Sequence, residues 1–341
     1  MMQTLRSNLL KNLLIFSSLF GCIGVVHAQS IIKIDGSSTV YPITKVAADQ
    51  FEATKQNTIK VAMSISGSGG GLKKLCSGEI DIANASRPIS KKELAECKSA
   101  KIQFIEIPVA FDALTVVISP QNTWSTAMTI AELKKTWEPA AQGKIMHWNH
   151  VNSAWPNDII NLYVTDRDSG TFDYFTEAIV GRAKFSRNDF NKSENDNTLA
   201  KDIAHNKNGL GFLGFAYYLD NQTQIKAVAI DSGKGYGAVL PSVESVEDGS
   251  YQPLSRPAFI YVNAKSAEKP EVREFVTFYL KNAVLIAKEA RLFPLPPRAY
   301  TTMLEHFNKK RVGTVFDGVS AVGLTIDDLI RREGRLEFEH H

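Results

Sequence analysis

Charge of one sign is what this sequence has least of: 39 Lys and Arg stand against 36 Asp and Glu in 341 residues. No basic patch is interleaved with aromatics, which excludes the electrostatic footprint of a nucleic-acid binder. Histidine is scarce, at seven residues, of which His27, His340 and His341 lie towards the two ends. No His-Glu-x-x-His pair, nucleophile elbow or Walker A loop occurs, so enzyme signatures are poor. Ser169 follows Asp168, but no base is placed to complete a triad. Only three cysteines are present, and neither Cys76 nor Cys97 has a histidine or second cysteine at metal-ligand spacing. Internal repeats and low-complexity segments are also missing. The remaining composition, 44% hydrophobic and 22% charged, is that of an ordinary globular chain long enough for two domains.

One long apolar run exists, over residues 13–26. Arg6 and Lys11 precede it and Val26-His27-Ala28 closes it, the layout of a secretory leader (residues 1–28) cleaved after Ala28. An alternative uses Leu19-Phe20-Gly21-Cys22 as a lipoprotein site, against which stand the bulk of Phe20 and the apolar residues after Cys22. Nothing beyond the leader is apolar enough to span a bilayer. The mature chain is therefore expected to be exported and soluble, with Cys76 and Cys97 joined in a disulfide.

What the sequence does have is three hydroxyl- and glycine-rich segments just ahead of helix-like patterns. They are Gly36-Ser37-Ser38-Thr39, Ser66-Gly67-Ser68-Gly69-Gly70-Gly71 and Asp168-Ser169-Gly170-Thr171. A helix start leaves about four N–H groups without partners and carries roughly half a positive charge. Hydroxyls add donors, and glycine lets the backbone approach a ligand. One such turn is a plain cap; three suggest a site for a small anion.

Their setting is an α/β rhythm. Residues 31–34, 58–65 and 80–83 read as strands, and Val40, Ile43, Ala47 and Phe51 keep helical spacing after Pro42. Leu72 and Leu75 begin a second helix. Residues 102–107 and 113–118 are two apolar runs separated by Asp112, and residues 120–160 hold all four tryptophans in a loop-rich section. Residues 159–164 form a strand leading to the third turn, and Phe172, Phe175 and Ile179 mark a helix. Residues 186–197 read as an exposed loop, 226–230 and 258–262 as strands, 270–288 as a helix and 331–341 as a mobile charged tail. Strand, turn and helix alternate in this way when ligands sit outside the carboxyl ends of parallel strands.

Gly209-Leu210-Gly211-Phe212-Leu213-Gly214 fits the dinucleotide fingerprint letter for letter. No strand precedes it and aromatics follow it, so the reading is a close-packed or turning backbone segment. Two arginines stand near the turns: Arg87, in Ala85-Ser86-Arg87-Pro88, and Arg167. Their planar forks suit a tetrahedral oxyanion. Phosphate keeps a proton at neutral pH whereas sulfate does not, so a phosphate pocket gains from one buried acceptor. Asp35, Asp112 and Asp168 are the candidates.

The segments Ile34-Asp35-Gly36-Ser37-Ser38-Thr39-Val40-Tyr41-Pro42-Ile43, Ser66 to Gly71, and Asp168-Ser169-Gly170-Thr171-Phe172-Asp173-Tyr174-Phe175 resemble the phosphate-binding solute receptor (PstS type) of bacterial ABC transporters. Residues 211–218 and Pro253-Leu254-Ser255-Arg256-Pro257 resemble it too, and the likeness runs in order from about residue 31 to 305. The resemblance implies a two-lobed periplasmic-binding-protein fold, each lobe a mixed sheet flanked by helices, joined by strands crossing near 111–116 and 256–261. Lobe 1 would take residues 29–112 and 258–330, and lobe 2 residues 113–257.

It further implies that inorganic phosphate is held by Ser38, Thr39, Ser68, Ser86, Arg87, Ser169, Gly170 and Thr171, with Gly67, Arg167, Asp168 and Asp112 as further candidates. No cofactor, metal or catalysis is implied; the partners are membrane permease subunits, the location is periplasmic and the chain is a monomer. Two departures stand out. Better-known members carry an aspartate where Ser86 stands, accepting the ligand's proton, and an arginine where Thr165 stands; Arg87 and Arg167 are the cations available instead. Receptors for sulfate or molybdate, a phosphatase using Ser169, and an exported adhesion or signalling protein that keeps the phosphate site are the alternatives.

Overall fold

Apolar strands, several of them ended by a small-residue turn, assemble into one large mixed sheet with helices on its faces and a second, three-stranded sheet. The structure is a computed structural model and describes residues 29–56, 58–165, 169–193 and 195–335. The leader with both its cleavage readings, Arg167, Asp168 and residues 336–341 lie outside the described residues.

The order begins β1 (Ser30–Gly36), α1 (Tyr41–Thr54), β2 (Ile59–Ile65), α2 (Gly67–Cys76), β3 (Ile82–Ala85), α3 (Lys91–Ser99) and β4 (Phe104–Ile118). Next come β5 (Ala127–Thr129), α4 (Ile130–Trp137), the short α5 (Trp148–Val151), β6 (Asn161–Thr165), α6 (Gly170–Val180), β7 (Asn191–Ser193), α7 (Asp196–Ala204), β8 (Gly209–Gly214) and α8 (Phe215–Asn221). The chain continues through β9 (Lys226–Ala227), β10 (Ala229–Asp231), β11 (Ala238–Val239), α9 (Val243–Glu247) and β12 (Ser255–Asn263). Then α10 (Pro270–Glu289), α11 (Pro297–Asn308) and α12 (Ile326–Arg335) follow.

The main sheet runs β2-β1-β3-β12-β4-β8-β6-β7, with β9 also beside β4. β1 and β3 are parallel, as are β8 with β6 and β6 with β7. β12 is antiparallel to both β3 and β4. Every residue of β4 and β12 is buried, as expected of strands covered on both faces. The two apolar runs expected around Asp112 are therefore one strand. It changes partner midway: residues 104–113 pair with β12 and residues 114–118 with β8. Asp112 stands directly opposite Arg256, one pair before that change.

Helices pack by their apolar stripes. Pro42 sits in the first turn of α1, where its missing N–H is harmless, and Phe51 meets Phe275 of α10 edge-on at 5.4 Å. The tryptophan-rich section is more ordered than expected. Thr129 and Glu132 form a capping box on α4, and Trp124 and Trp155 both pack edge-on against buried Trp148. Residues 186–197 contribute β7 and open α7 rather than forming only a loop. The tail, too, is ordered as far as Arg335: residues 331–335 belong to α12, and Glu333 is buried.

The dinucleotide-like segment is β8 itself. A Cβ on Gly211 would lie 2.6 Å from Ile203 Cδ1 and 2.7 Å from the Tyr163 carbonyl oxygen. Close approach of α7 and β6 accounts for that glycine, as the close-packed reading anticipated. Among the described residues no helix is long and apolar enough to cross a membrane.

Cys76 ends α2 and Cys97 lies in α3, and the two are disulfide-bonded across 21 residues of sequence. Replacing both with alanine is expected to lower the unfolding free energy by about 3 kcal/mol, read from urea denaturation. An unchanged urea midpoint would contradict a stabilising bond.

Candidate functional site

The first turn is built by Ser37. Its N–H donates to the Asn84 carbonyl of β3 at 2.9 Å, and its buried hydroxyl accepts the N–H groups of Thr39 and Val40 at 3.2 and 3.4 Å. That leaves Ser38 and Thr39, both half-buried, facing a cleft. Gly36 is obligatory here: its φ is +139°, and a Cβ would fall 2.1 Å from the Asn84 oxygen.

The second turn differs from expectation, because the glycine run is already helical. α2 starts at Gly67, whose φ of +75° turns the chain into the helix. Its glycines let α2 press against the first turn: a Cβ on Gly71 would lie 2.6 Å from the Gly36 Cα and 2.7 Å from the Asp35 carbonyl oxygen. Buried Ser68 accepts the Ser86 N–H at 3.1 Å, and the two hydroxyls are 3.2 Å apart.

The third turn caps α6. Ser169 accepts the Phe172 N–H at 3.1 Å, so Gly170 and Thr171 form the first helical turn. Gly170 is where the three turns meet. A Cβ there would lie 2.6 Å from the Ser86 hydroxyl oxygen, 3.5 Å from that of Ser37 and 3.7 Å from that of Ser68. Ser68, Ser86, Arg87, Gly170 and Arg256, with Asp173, Tyr174 and Glu177, line a small pocket of about 10 Å³. Ser38, Thr39, Asp112 and Thr171 line a cleft of about 320 Å³.

Arg256 is the residue that sequence reasoning missed as a site group. Its guanidinium is buried, and its Nη1 donates to the Gly170 carbonyl at 2.6 Å. Nη2 donates to Thr39 Oγ1 at 2.9 Å and, with Nε, to Asp112 Oδ2 at 3.1 and 3.2 Å. The Tyr174 ring lies 5.0 Å beneath it, and the Tyr174 hydroxyl is held by the Pro253 and Ser255 carbonyls. One guanidinium thus binds the first turn, the third turn and both long strands. The signal was present: Arg256 is the only charge in β12, Asp112 is one of two acidic residues in the otherwise apolar β4, and buried charges come in pairs.

Arg87 reaches the site but is already matched. Its Nη1 and Nη2 donate to the two Glu93 oxygens at 2.9 and 2.8 Å. Burial works to raise the Glu93 carboxyl, but Arg87 and Ser90 hold it below its ordinary 4.5. Asp35 is likewise occupied, by the Gly36 N–H at 2.6 Å, the Ser66 hydroxyl at 2.9 Å and the Lys74 ammonium. Burial pushes its carboxyl up, yet Lys74 and the hydroxyls hold it below the ordinary 3.8. Asp112 goes the other way: burial raises its carboxyl despite the opposing Arg256 charge. Among the described residues no group of three His, Cys, Asp or Glu is placed to hold a metal.

Comparison with known proteins adds to this geometry. The family model for the PBP superfamily domain matches residues 25–283. The chain is 47% identical to Protein SphX of Synechocystis sp. over 95% of its length and 96% of that protein's. It is 33% identical to the phosphate-binding protein PstS of Staphylococcus saprophyticus, covering 79% of this chain and 82% of that one. The crystal structure of a possible phosphate binding protein from Planctomyces limnophilus superposes with a TM-score of 0.68 at 42% identity, covering 83% of this chain and all of that one.

Two outcomes are expected from the packing. Gly71→Ala must push α2 off the first turn and should cost about 1–3 kcal/mol in thermal or urea unfolding. Gly69→Ala meets only ordinary contacts, the nearest at 3.5 Å, and should be neutral or stabilising by up to ~1 kcal/mol. Equal effects would contradict the close approach. The depressed Asp35 and Glu93 contribute stability that is present above their unfolded values, 3.8 and 4.5, and lost as pH falls through the lower folded ones. Glu93→Gln should therefore flatten the stability-against-pH curve below pH 4.5; an unchanged acid limb would argue against the pairing.

Proposed function

This chain belongs to the PBP superfamily and, within it, to the PstS-type phosphate-binding proteins, and on that premise we propose that it is an exported receptor delivering inorganic phosphate to the permease of an ABC transporter. The observation that carries this reading is the meeting of three turns at Gly170 beneath one buried guanidinium, Arg256. Ser38, Thr39, Ser68, Ser86, Ser169, Gly170 and Thr171 supply hydroxyl and N–H donors, and Arg256 supplies the positive charge. Arg87, matched by Glu93, is the outer cation. Charge-assisted hydrogen bonds contribute roughly 1.5–3 kcal/mol each. Four or five of them, net of desolvation, reach the ~8 kcal/mol of a micromolar site.

The proposed lobes are residues 29–112 with 258–330, and residues 113–257. The change of partner in β4 after Ala113 supports that division. A pocket of about 10 Å³ has room for about one water, so the oxyanion enters when the third turn moves away from Ser86 and is held when it returns. Phosphate bound across the two lobes favours the closed arrangement because it contacts both only there. The receptor works as a monomer, needs no cofactor and catalyses nothing. The leader, cleaved after Ala28, sends it to the periplasm.

Titration calorimetry with phosphate and with sulfate at neutral pH tests this. One phosphate per chain and far weaker sulfate binding are expected. Ser38→Leu/Ser169→Leu should weaken phosphate by at least ~100-fold, the loss of two charge-assisted bonds. Its stability should fall only by the lost helix cap, about 1 kcal/mol. Sulfate binding as tight as phosphate, or affinity that survives the double variant, would overturn the proposal. Phosphate release from an ester, abolished by Ser169→Ala, would replace it with an enzyme.

A further inference from the structure

Well past residue 283, where the family match ends, the chain runs across the site once more. We propose that residues 313–335 form a strap, anchored on lobe 1, whose middle must leave lobe 2 before phosphate can enter or escape. This rests on the phosphate-receptor reading and concerns how that same site opens.

The strap starts on lobe 1. The Gly313 N–H donates to the Phe104 carbonyl at 2.9 Å. The next two residues satisfy buried Glu106 of β4: the Thr314 hydroxyl donates to Oε2 at 2.6 Å and the Val315 N–H to Oε1 at 3.1 Å. Buried Phe316 packs edge-on against Phe259 of β12, with ring centroids 5.6 Å apart. Gly318, with a φ of +74°, then turns the chain over the start of α3, so close that a Cβ would lie 2.6 Å from the Lys91 nitrogen. Lifting this end would strand a buried carboxylate, so it stays in place.

The middle crosses the cleft. Gly318 to Ala321 line a cavity of about 260 Å³ together with Ser86 and Arg87 of lobe 1 and Tyr174 and Glu177 of lobe 2. Beyond it the Gly323 backbone approaches the Tyr174 hydroxyl. Thr325 fits tightly against Gly249, where a Cβ would lie 2.7 Å from the Thr325 Cγ2. α12 then returns to lobe 1: Leu329 is fully buried and shares a small pocket with Leu295 and Met303. Arg332 closes the circuit over the Phe316 ring at 5.2 Å.

Both ends of the strap therefore belong to lobe 1, and the contacts at Gly323 and Thr325 join the lobes. They are present here with Gly170 against Ser86, the shut arrangement. A contact made in one state only shifts the balance towards that state, with or without ligand. Tyr174 lies on α6, one turn beyond the third turn, and its ring supports Arg256. The third turn thus cannot swing clear of Ser86 until Tyr174 has left Gly323, and the strap slows phosphate exchange in both directions.

A disulfide across the Gly249–Thr325 contact tests this. In Gly249→Cys/Thr325→Cys the Cβ atoms start 3.3 Å apart, just short of the ~3.5–4.5 Å that a disulfide spans. Uptake and release of radiolabelled phosphate are timed in the oxidised and reduced variant, with wild type in both conditions to control for Cys76–Cys97. Oxidation should slow both steps at least about tenfold, and reduction should restore them. Equal rates in the two states, with the new bond confirmed by thiol count, overturn the inference. If the variant fails to fold, hydrogen exchange of wild type decides. Amides of residues 318–325 should then exchange at least about tenfold more slowly with phosphate bound, while those of Val315 and Phe316 change little. Exchange over 318–325 that ignores bound phosphate overturns the strap. A wild type that binds no phosphate overturns the receptor reading instead, which separates the two failures.

Discussion

Arg256 and Asp112 are buried charges set opposite each other in the register of the two longest shared strands, and the rest of the site is arranged around them. Taking two ions out of water costs several kcal/mol each, and a single ion pair repays this only when the remaining donors are also satisfied. Here Thr39 of the first turn and the Gly170 carbonyl of the third take two more of them. Satisfying one guanidinium therefore obliges segments from distant parts of the chain to meet at one point. Removing either partner would strand a buried charge, a change worth about 3–5 kcal/mol. The pair is thus a structural constraint before it is a binding element.

The glycines answer a second constraint, which is distance. Hydroxyls and N–H groups can converge on a small oxyanion only if the backbones carrying them nearly touch. Gly36 against Asn84 and Gly71 against Gly36 are two places where a methyl group would meet backbone and not fit, and at Gly170 one would displace the Ser86 hydroxyl. Two strand–helix junctions of the first half are thereby pressed into one surface, and the cap of α6 is laid onto it. The hydrogen bonds inside the turns then choose which groups stay free. Ser37 and Ser169 accept backbone N–H groups through their hydroxyl oxygens, which leaves the Ser169 O–H to donate, while Ser38, Thr39 and Thr171 face the cleft.

Much of this was legible in the sequence because the signals were local. Pro42 and the Val40–Ile43–Ala47–Phe51 spacing announced α1, and Ser169 announced the cap of α6. The reading of residues 209–214 as close-packed backbone also held, since a glycine at 211 is needed where Ile203 and Tyr163 crowd β8. Most of what escaped was non-local. Asp112 looked like a break between two strands because its counter-charge lies 144 residues away. Arg87 looked like a free ligand cation although its match is local: Glu93 lies only six residues on, in the first turn of α3. The tryptophans suggested loops when read along the chain, yet Trp148 gathers two of them into a core. The charged tail hid a helix whose Glu333 is buried.

The central claim is that an oxyanion sits where the three turns and Arg256 converge. A crystal structure of the mature chain grown with phosphate addresses it most directly. The account predicts a tetrahedral ligand between the Ser38–Thr39 and Ser68 turns on one side and residues 169–171 on the other, within hydrogen-bonding distance of Arg256 and Asp112, with Gly170 moved off Ser86. Phosphate found elsewhere on the surface, with Gly170 still against Ser86, would contradict it.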